Sequence, residues 1–537
     1  MIFHIAYVTS ILALSLLLIE PDLHGSDIKG PLLVSAWVLT LSLMAPLRLP
    51  EGIVANYPDM IYELQIVRHI VQLGKVTFQP YTRYAAGYIF NPILELLVAM
   101  IGTILGADYG TVLKYAGPFM NIITVLLLLI FYRRFLSKKD ATISVLLATS
   151  CFHFISFDPS TVHETLALPF LFAIPYTLTK SGRAWRAITL LLMFMVVSTH
   201  YFTAIVGLFY FIAASIAICL FSFMTKRPFG PVERTTMRIP VPFALITIVW
   251  LLYVTPSVLV TGVIPVASYA FFMLTSLRAE VVFPLVARGI VSVPTWIRAV
   301  GDLGIVLFGA TITIGFLLAL RDRWYSRLGL ALPFASSSAA IFSAALLIYS
   351  KYSEAIDLLP RAYTYVYFSA APLSLLAMKR ASLSFRGGIY RKLLCTLLMF
   401  LVVSAAVYYN YPRYLYDNTA PLTSEDVRFP LNEWKSAGLF ARDHLTSNFT
   451  IWGDRIAFSF VGGYGDKNVE TLPSDMNMTL AQWVDTYPRS GDILILRGSM
   501  PDAPYLNYEV TRGELNRILQ SANVVYSSGE VLMLAEQ

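Results

Sequence analysis

The chain has 537 residues, 57% of them hydrophobic and only 14% charged, with a mean hydropathy of +0.65. A water-soluble globular protein does not have that balance, and a bilayer-embedded one does. The net charge of +7 is unevenly divided: residues from Tyr414 onward carry −7 and the first 413 carry +14. That basic excess sits in short loops between apolar runs, as on a cytoplasmic membrane face, and argues against nucleic-acid binding.

Apolar runs long enough to span a bilayer as helices recur along the chain, about twelve in all. The first, Ile2 to Ile19, lacks a basic n-region and a small-residue cleavage site, so it is expected to stay as a helix rather than be removed as a signal peptide. Five basic loops mark the cytoplasmic side: Arg133, Arg134, Lys138 and Lys139; Lys180, Arg183 and Arg186; Lys226, Arg227, Arg234 and Arg238; Arg321, Arg323 and Arg327; Lys379, Arg380, Arg386, Arg391 and Lys392. The intervening segments then face outside: 48–91, 157–165, the turn 198–201, 261–302, 351–361 and everything after Asn410. Cys151, Cys219 and Cys395 all fall in apolar runs, so neither a disulfide framework nor a thiolate metal site is expected.

Within the outer segment 48–91, Tyr57 to His69 is amphipathic, with Met60, Ile61, Leu64, Val67 and Val71 on one face. Pro58 starts it and Gly74 stops it. Such a helix is expected to lie in the interface with its apolar face in lipid, presenting Asp59 and Glu63, four residues apart, from one side. A second amphipathic helix opens at Asn91-Pro92 and runs through Glu95 to Gly106. The tail reads as a small α/β unit. Helices are expected from about Asn432 to His444 and from Thr511, and strands near Thr450, at Asp492 to Leu496 and at Val531 to Leu534. The sequons Asn448-Phe449-Thr450 and Asn477-Met478-Thr479 permit an outside location. The expected fold class is therefore an all-α polytopic membrane protein with amphipathic juxtamembrane helices and a small extracytoplasmic α/β domain. It divides at residues 1–410 and 411–537.

An outer acidic residue opens an amphipathic helix, a Gly-Lys turn and a Tyr/Pro-rich stretch follow, and an Asn-Pro-started second helix ends in Gly. This order resembles the first external loop of the GT-C superfamily, membrane glycosyltransferases that use polyprenyl-phosphate sugars. The resemblance is to the protein O-mannosyltransferase and aminoarabinose transferase type. It covers roughly Asn56 to Arg134 and, more loosely, the helix layout through Asn410. It implies transfer of a sugar from a polyprenyl-phosphate donor in the membrane to a protein or glycolipid acceptor, with Asp59 matching the family's catalytic aspartate. Two departures stand out: two apolar runs precede the loop, and the tail lacks the Trp-Trp-Asp motif of oligosaccharyltransferases. The second argues against transfer of a whole oligosaccharide to asparagine.

Ionisable groups near a bilayer are costly unless paired or facing water, and several fall in outer segments. Asp158, His163 and Glu164 lie in one, at a position where some GT-C members carry a second acidic motif, and His200 lies in the next outer turn. Asp59, Asp158, His163, Glu164 and His200 together suit a divalent cation, the carboxylates favouring Mg or Mn and the histidines Mn or Zn. Arg361 opens a helix at the outer surface against the positive-inside trend, and its planar charge suits a phosphate. Each has a plainer alternative. Asp59 has a plainer reading as a helix cap, Glu63 as a solvated face residue, and Asp158 as a turn residue. His163 and Glu164 suit a helix start, His200 a satisfied buried histidine, and Arg361 a partner of Glu354 or Asp357. Tyr363, Tyr365 and Tyr367 are expected in the aromatic belt of the membrane interface. Two rival functions stay open: a transporter or flippase, disfavoured because the polar groups gather at one surface, and a non-catalytic scaffold of the same fold.

Overall fold

The computed structural model describes residues 29–47, 58–76, 91–149, 151, 154, 163–226, 228–256, 259–260, 295–321, 330–351, 358–384, 431–445, 450–453, 455–465, 467, 469–471, 492–497, 512–528 and 531–536. In chain order these form α1 (Lys29–Leu47), α2 (Pro58–Leu73), α3 (Ile93–Leu105), α4 (Tyr109–Tyr132), α5 (Lys138–Ala148), α6 (His163–Leu178) and α7 (Arg183–Thr199). Next come α8 (Tyr201–Thr225), α9 (Pro231–Arg238), α10 (Pro240–Tyr253), α11 (Thr295–Arg321), α12 (Ala331–Lys351) and α13 (Leu358–Ser384). The tail holds α14 (Leu431–His444), β1 (Ile451–Gly453), α15 (Arg455–Gly465), β2 (Val469–Thr471), β3 (Ile493–Arg497), α16 (Arg512–Ser521), β4 (Ala522–Ser528) and β5 (Val531–Glu536). Two compact units result, one of Met1–Met44 with Gly117–Pro412 and one of Ala45–Ala116 with Arg413–Gln537. The expected helix at 2–19, both sequon asparagines and most of the outer segments 48–91 and 261–302 lie outside the described residues.

The protein is mostly helical and multi-pass. Among the described residues, four helices are long and apolar enough to cross a membrane: Tyr109–Tyr132, Tyr201–Thr225, Pro231–Tyr253 and Leu303–Arg321. Inside lipid, helices cannot rely on expelling water to associate, so close approach of small residues and hydrogen bonds between helices take over. The first unit is organised this way around α13, against which α5, α11 and α12 pack. A Cβ on Gly315 of α11 would lie 1.9 Å from the backbone oxygen of Leu373 on α13, so only glycine permits this crossing. Tyr210 of α8 bonds Ser369 at 2.6 Å, and Thr311 of α11 bonds Ser374 at 2.7 Å. Pro372 lies inside α13 and has no N–H, so the carbonyl four residues earlier, that of Phe368, loses its helical donor. The hydroxyl of Tyr132, buried at the end of α4, donates to that carbonyl. Tyr365 and Tyr367 depart from the expected aromatic belt. Both are buried, Tyr367 stacking on Phe308 at 4.0 Å between ring centroids and Tyr365 packing against Phe172 and Tyr210.

Several of the basic loops gather at one end of this unit. Arg134, after α4, donates to Thr179 between α6 and α7 at 3.2 Å, and Lys379 near the end of α13 pairs with Asp140 at the start of α5 at 2.8 Å. Lys180 sits over the Tyr176 ring at 5.0 Å. The 16 residues of α6 put its first residue, His163, about 24 Å from these groups along the helix axis.

In the second unit, the sheet runs β2-β1-β3-β5-β4, parallel across β2, β1 and β3 and antiparallel across β3, β5 and β4. Buried Trp434 of α14 and Phe460 of α15 pack their rings beside it. α3 matches its expected limits and is closed by Gly106, whose φ of 60° is a left-handed cap that glycine adopts without strain. α2 differs from expectation in what covers it. Ile61, Leu64 and Val67 are buried against α3 and α15, so this apolar face takes protein rather than lipid, and Val71 alone of the described face is 38% exposed. Glu63, expected on a solvated face, is fully buried for the same reason.

Replacing Tyr132 by Phe leaves the Phe368 carbonyl without its donor and is expected to cost about 1–3 kcal/mol, read as a lowered midpoint of detergent-solubilised unfolding. Leu64→Ala is expected to cost about 2–5 kcal/mol and to expose the tail to limited proteolysis, because α2 and the tail share one core. An unchanged digestion pattern of the tail would contradict that coupling.

Candidate functional site

A single residue joins α7 to α8. His200 has extended backbone angles, φ −153° and ψ 106°, so it ends one helix and begins the next. Its Nδ1 accepts from the Thr203 backbone N–H at 3.4 Å and lies 2.7 Å from the Thr203 hydroxyl, the geometry of a side-chain N-cap. The cap places the proton of a neutral ring on Nε2. Desolvation, then the Arg361 cation and then His163, hold the His200 imidazole well below its ordinary range, although part of its surface stays accessible. The imidazole is therefore neutral near pH 7.

The rest of the cluster comes from two other helix starts. His163 and Glu164 open α6 and are both buried; the His163 ring stacks near His200, with centroids 6.5 Å apart. Arg361, in the first turn of α13, pairs with Glu164 across 3.2 Å, Nε to Oε2. The guanidinium carbon of Arg361 lies 5.1 Å from the centroid of the Phe202 ring in the first turn of α8. Three helix N-termini thus meet, each carrying about half a positive charge. With the Glu164 carboxylate set against Arg361, the local field favours an anion.

Four sequence-predicted residues, His163, Glu164, His200 and Arg361, are therefore brought together at the end of the first unit opposite the basic loops. Arg361 pairs with Glu164 of a distant helix, whereas the sequence alternatives were its chain neighbours Glu354 and Asp357, which lie outside the described residues. Asp59 is the second residue of α2 and Glu63 follows one turn later, both in the second unit; the Asp59 side chain and all of Asp158 lie outside the described residues. Phe202 and Thr203 were not anticipated, and only their adjacency to His200 signalled them. For a divalent cation the described residues do not fit. No group of three His, Cys, Asp or Glu gathers among them, and the carboxylate of Glu164 is engaged by a guanidinium.

No family model matches the sequence, and no curated protein does. Solved structures do match. ArnT from Cupriavidus metallidurans bound to undecaprenyl phosphate is 13% identical with a TM-score of 0.53, over 95% of this chain and 98% of that one. The Archaeoglobus fulgidus oligosaccharyltransferase in its apo form is 13% identical with a TM-score of 0.52, over 94% of this chain and 74% of that one. The same enzyme in complex with Zn and sulfate gives 0.53, at 13% identity, over 94% of this chain and 73% of that one. At this identity the likeness is one of fold: the chain shares the overall fold of ArnT and of the archaeal oligosaccharyltransferase.

Proposed function

We propose that the chain is an inverting membrane glycosyltransferase that moves a sugar from a polyprenyl-phosphate donor to a protein or glycolipid acceptor at the extracytoplasmic face. The observation that carries this reading is the ion-paired Arg361 at the meeting of three helix N-termini, opposite the basic loops. A site of that kind suits the phosphate of a lipid carrier, and a neighbour in fold, ArnT, was solved with undecaprenyl phosphate.

In the proposed step the acceptor hydroxyl oxygen attacks the anomeric carbon of the sugar. Its proton passes to the carboxylate of Asp59 as the new glycosidic bond forms. The bond from the anomeric carbon to the phosphate oxygen breaks, and its electron pair leaves with the polyprenyl phosphate. Negative charge therefore grows on the phosphate, where the fixed cation of Arg361 and the Nε2–H of neutral His200 are the donors. Glu63 enters as a second carboxylate one turn from Asp59. The divalent cation suggested by Asp59, Asp158, His163 and Glu164 is assigned no step, since Glu164 serves Arg361.

The reading includes about twelve spans, with 1–410 as the transmembrane catalytic part and 411–537 as an extracytoplasmic domain. Packing of α2 on α15 supports placing the outer loop 48–91 on the same side as the tail. Transport is the weaker reading because the polar cluster lies at helix ends rather than in broken helices at mid-membrane.

Asp59→Asn keeps the side-chain shape and removes the base. In proteoliposomes supplied with a polyprenyl-phosphate sugar and acceptor, transfer is expected to fall by about 100-fold or more. Glu63→Gln is expected to lower the rate without abolishing it. Full transfer by the Asp59→Asn protein would remove this residue from the mechanism.

A further inference from the structure

Arg361 is placed where two general effects oppose it. It sits at a helix N-terminus, where the macrodipole repels a cation, and at the end of the unit away from the basic loops. Two features hold it there. Glu164, 3% exposed and opening another helix, sets its carboxylate Oε2 3.2 Å from the Nε atom as an ion pair, and the ring of Phe202 lies under the guanidinium carbon at 5.1 Å. A guanidinium is a rigid planar fork, so a carboxylate at one edge and a ring against one face together narrow the directions its N–H groups take. The Phe202 position is itself set by the His200 cap, because Phe202 is the second residue of α8 and the cap determines where that helix begins.

We infer that Glu164 and Phe202 are positioning residues for Arg361, holding its guanidinium in the orientation that binds the phosphate of the lipid carrier. This rests on the proposed function and adds roles that its mechanism does not require. Glu164 then acts through Arg361 rather than as a metal ligand. Phe202 acts through the face of its ring, which attracts a cation that an aliphatic side chain of similar size does not attract.

The test titrates decaprenyl phosphate into the full chain in phosphatidylcholine nanodiscs. Binding is compared for wild type, Arg361→Ala, Phe202→Leu, Phe202→Tyr and Glu164→Gln, and for Phe202→Leu and Glu164→Gln each combined with Arg361→Ala. Phe202→Leu is expected to weaken binding about 3- to 30-fold, and Phe202→Tyr, which keeps the aromatic face, to restore it. Once Arg361 is alanine, neither second substitution is expected to weaken binding further, the mark of residues that act through it. The inference is overturned if Phe202→Leu binds like wild type, or if the second substitutions cost as much without Arg361 as with it. Wild-type binding by Arg361→Ala is a separate result that would defeat the phosphate reading itself. Should Glu164→Gln fail to fold, the Phe202 series alone decides.

Discussion

A permanent positive charge at the start of a helix is in an unfavourable place unless something compensates it. The helix dipole points its positive end at the charge, and a guanidinium cannot shed its proton. Glu164 meets that demand for Arg361, and it does so from the first turn of α6, where a carboxylate is itself stabilised by the dipole of its own helix. Removing Arg361 would strand the buried carboxylate of Glu164, while the guanidinium, 24% exposed, keeps part of its hydration. The ion pair therefore fixes the start of α6 against the start of α13, and with Phe202 the start of α8 as well. One electrostatic requirement aligns three helices end to end.

The middle of the first unit solves a different problem. Hydrocarbon offers helices no reason to associate through burial alone, so α13 is joined to its neighbours by contacts that lipid cannot imitate. Gly315 lets α11 approach the backbone of α13, Ser369 and Ser374 bond Tyr210 and Thr311, and Tyr132 satisfies the carbonyl that Pro372 orphans. A proline inside a helix is tolerable when a neighbour supplies the missing donor. The same helix that carries Arg361 at its start is thus locked along its length, which gives the guanidinium a rigid base.

Much of this was legible from the chain, and the limits follow from what a sequence encodes. Clusters such as Lys138-Lys139 and Lys379-Arg380 announce one membrane face because charge seldom crosses a bilayer, and the structure brings Asp140 and Lys379 together as that reading requires. Asn91-Pro92 and Gly106 mark the ends of α3 because their backbone preferences are local. One partner of Arg361, Glu164, is not local. Chain neighbours Glu354 and Asp357 were the visible candidates and lie outside the described residues, and Glu164 comes from a helix far away in sequence. Amphipathicity in α2 showed an apolar face without showing whether lipid or protein covers it. Likewise Phe-Val-Gly-Gly-Tyr-Gly in α15 argues against a helix on propensity, and tertiary packing overrides it. Tyr365 and Tyr367 carry the composition of an interface belt and lie in the core, since burial depends on neighbours that periodicity does not name.

The covering of α2 bears on what the tail is for. An amphipathic helix floating in the headgroup region would let Asp59 wander with the lipid surface, and the general base proposed there would tolerate displacement of little more than an ångström. Burial of Ile61, Leu64 and Val67 against α15 and α3 replaces that fluid support with a packed one. The sheet gives α15 its own rigid backing, through β1 and β2 on either side of it in the chain. Through α15 the tail packs against the acidic helix within one compact unit.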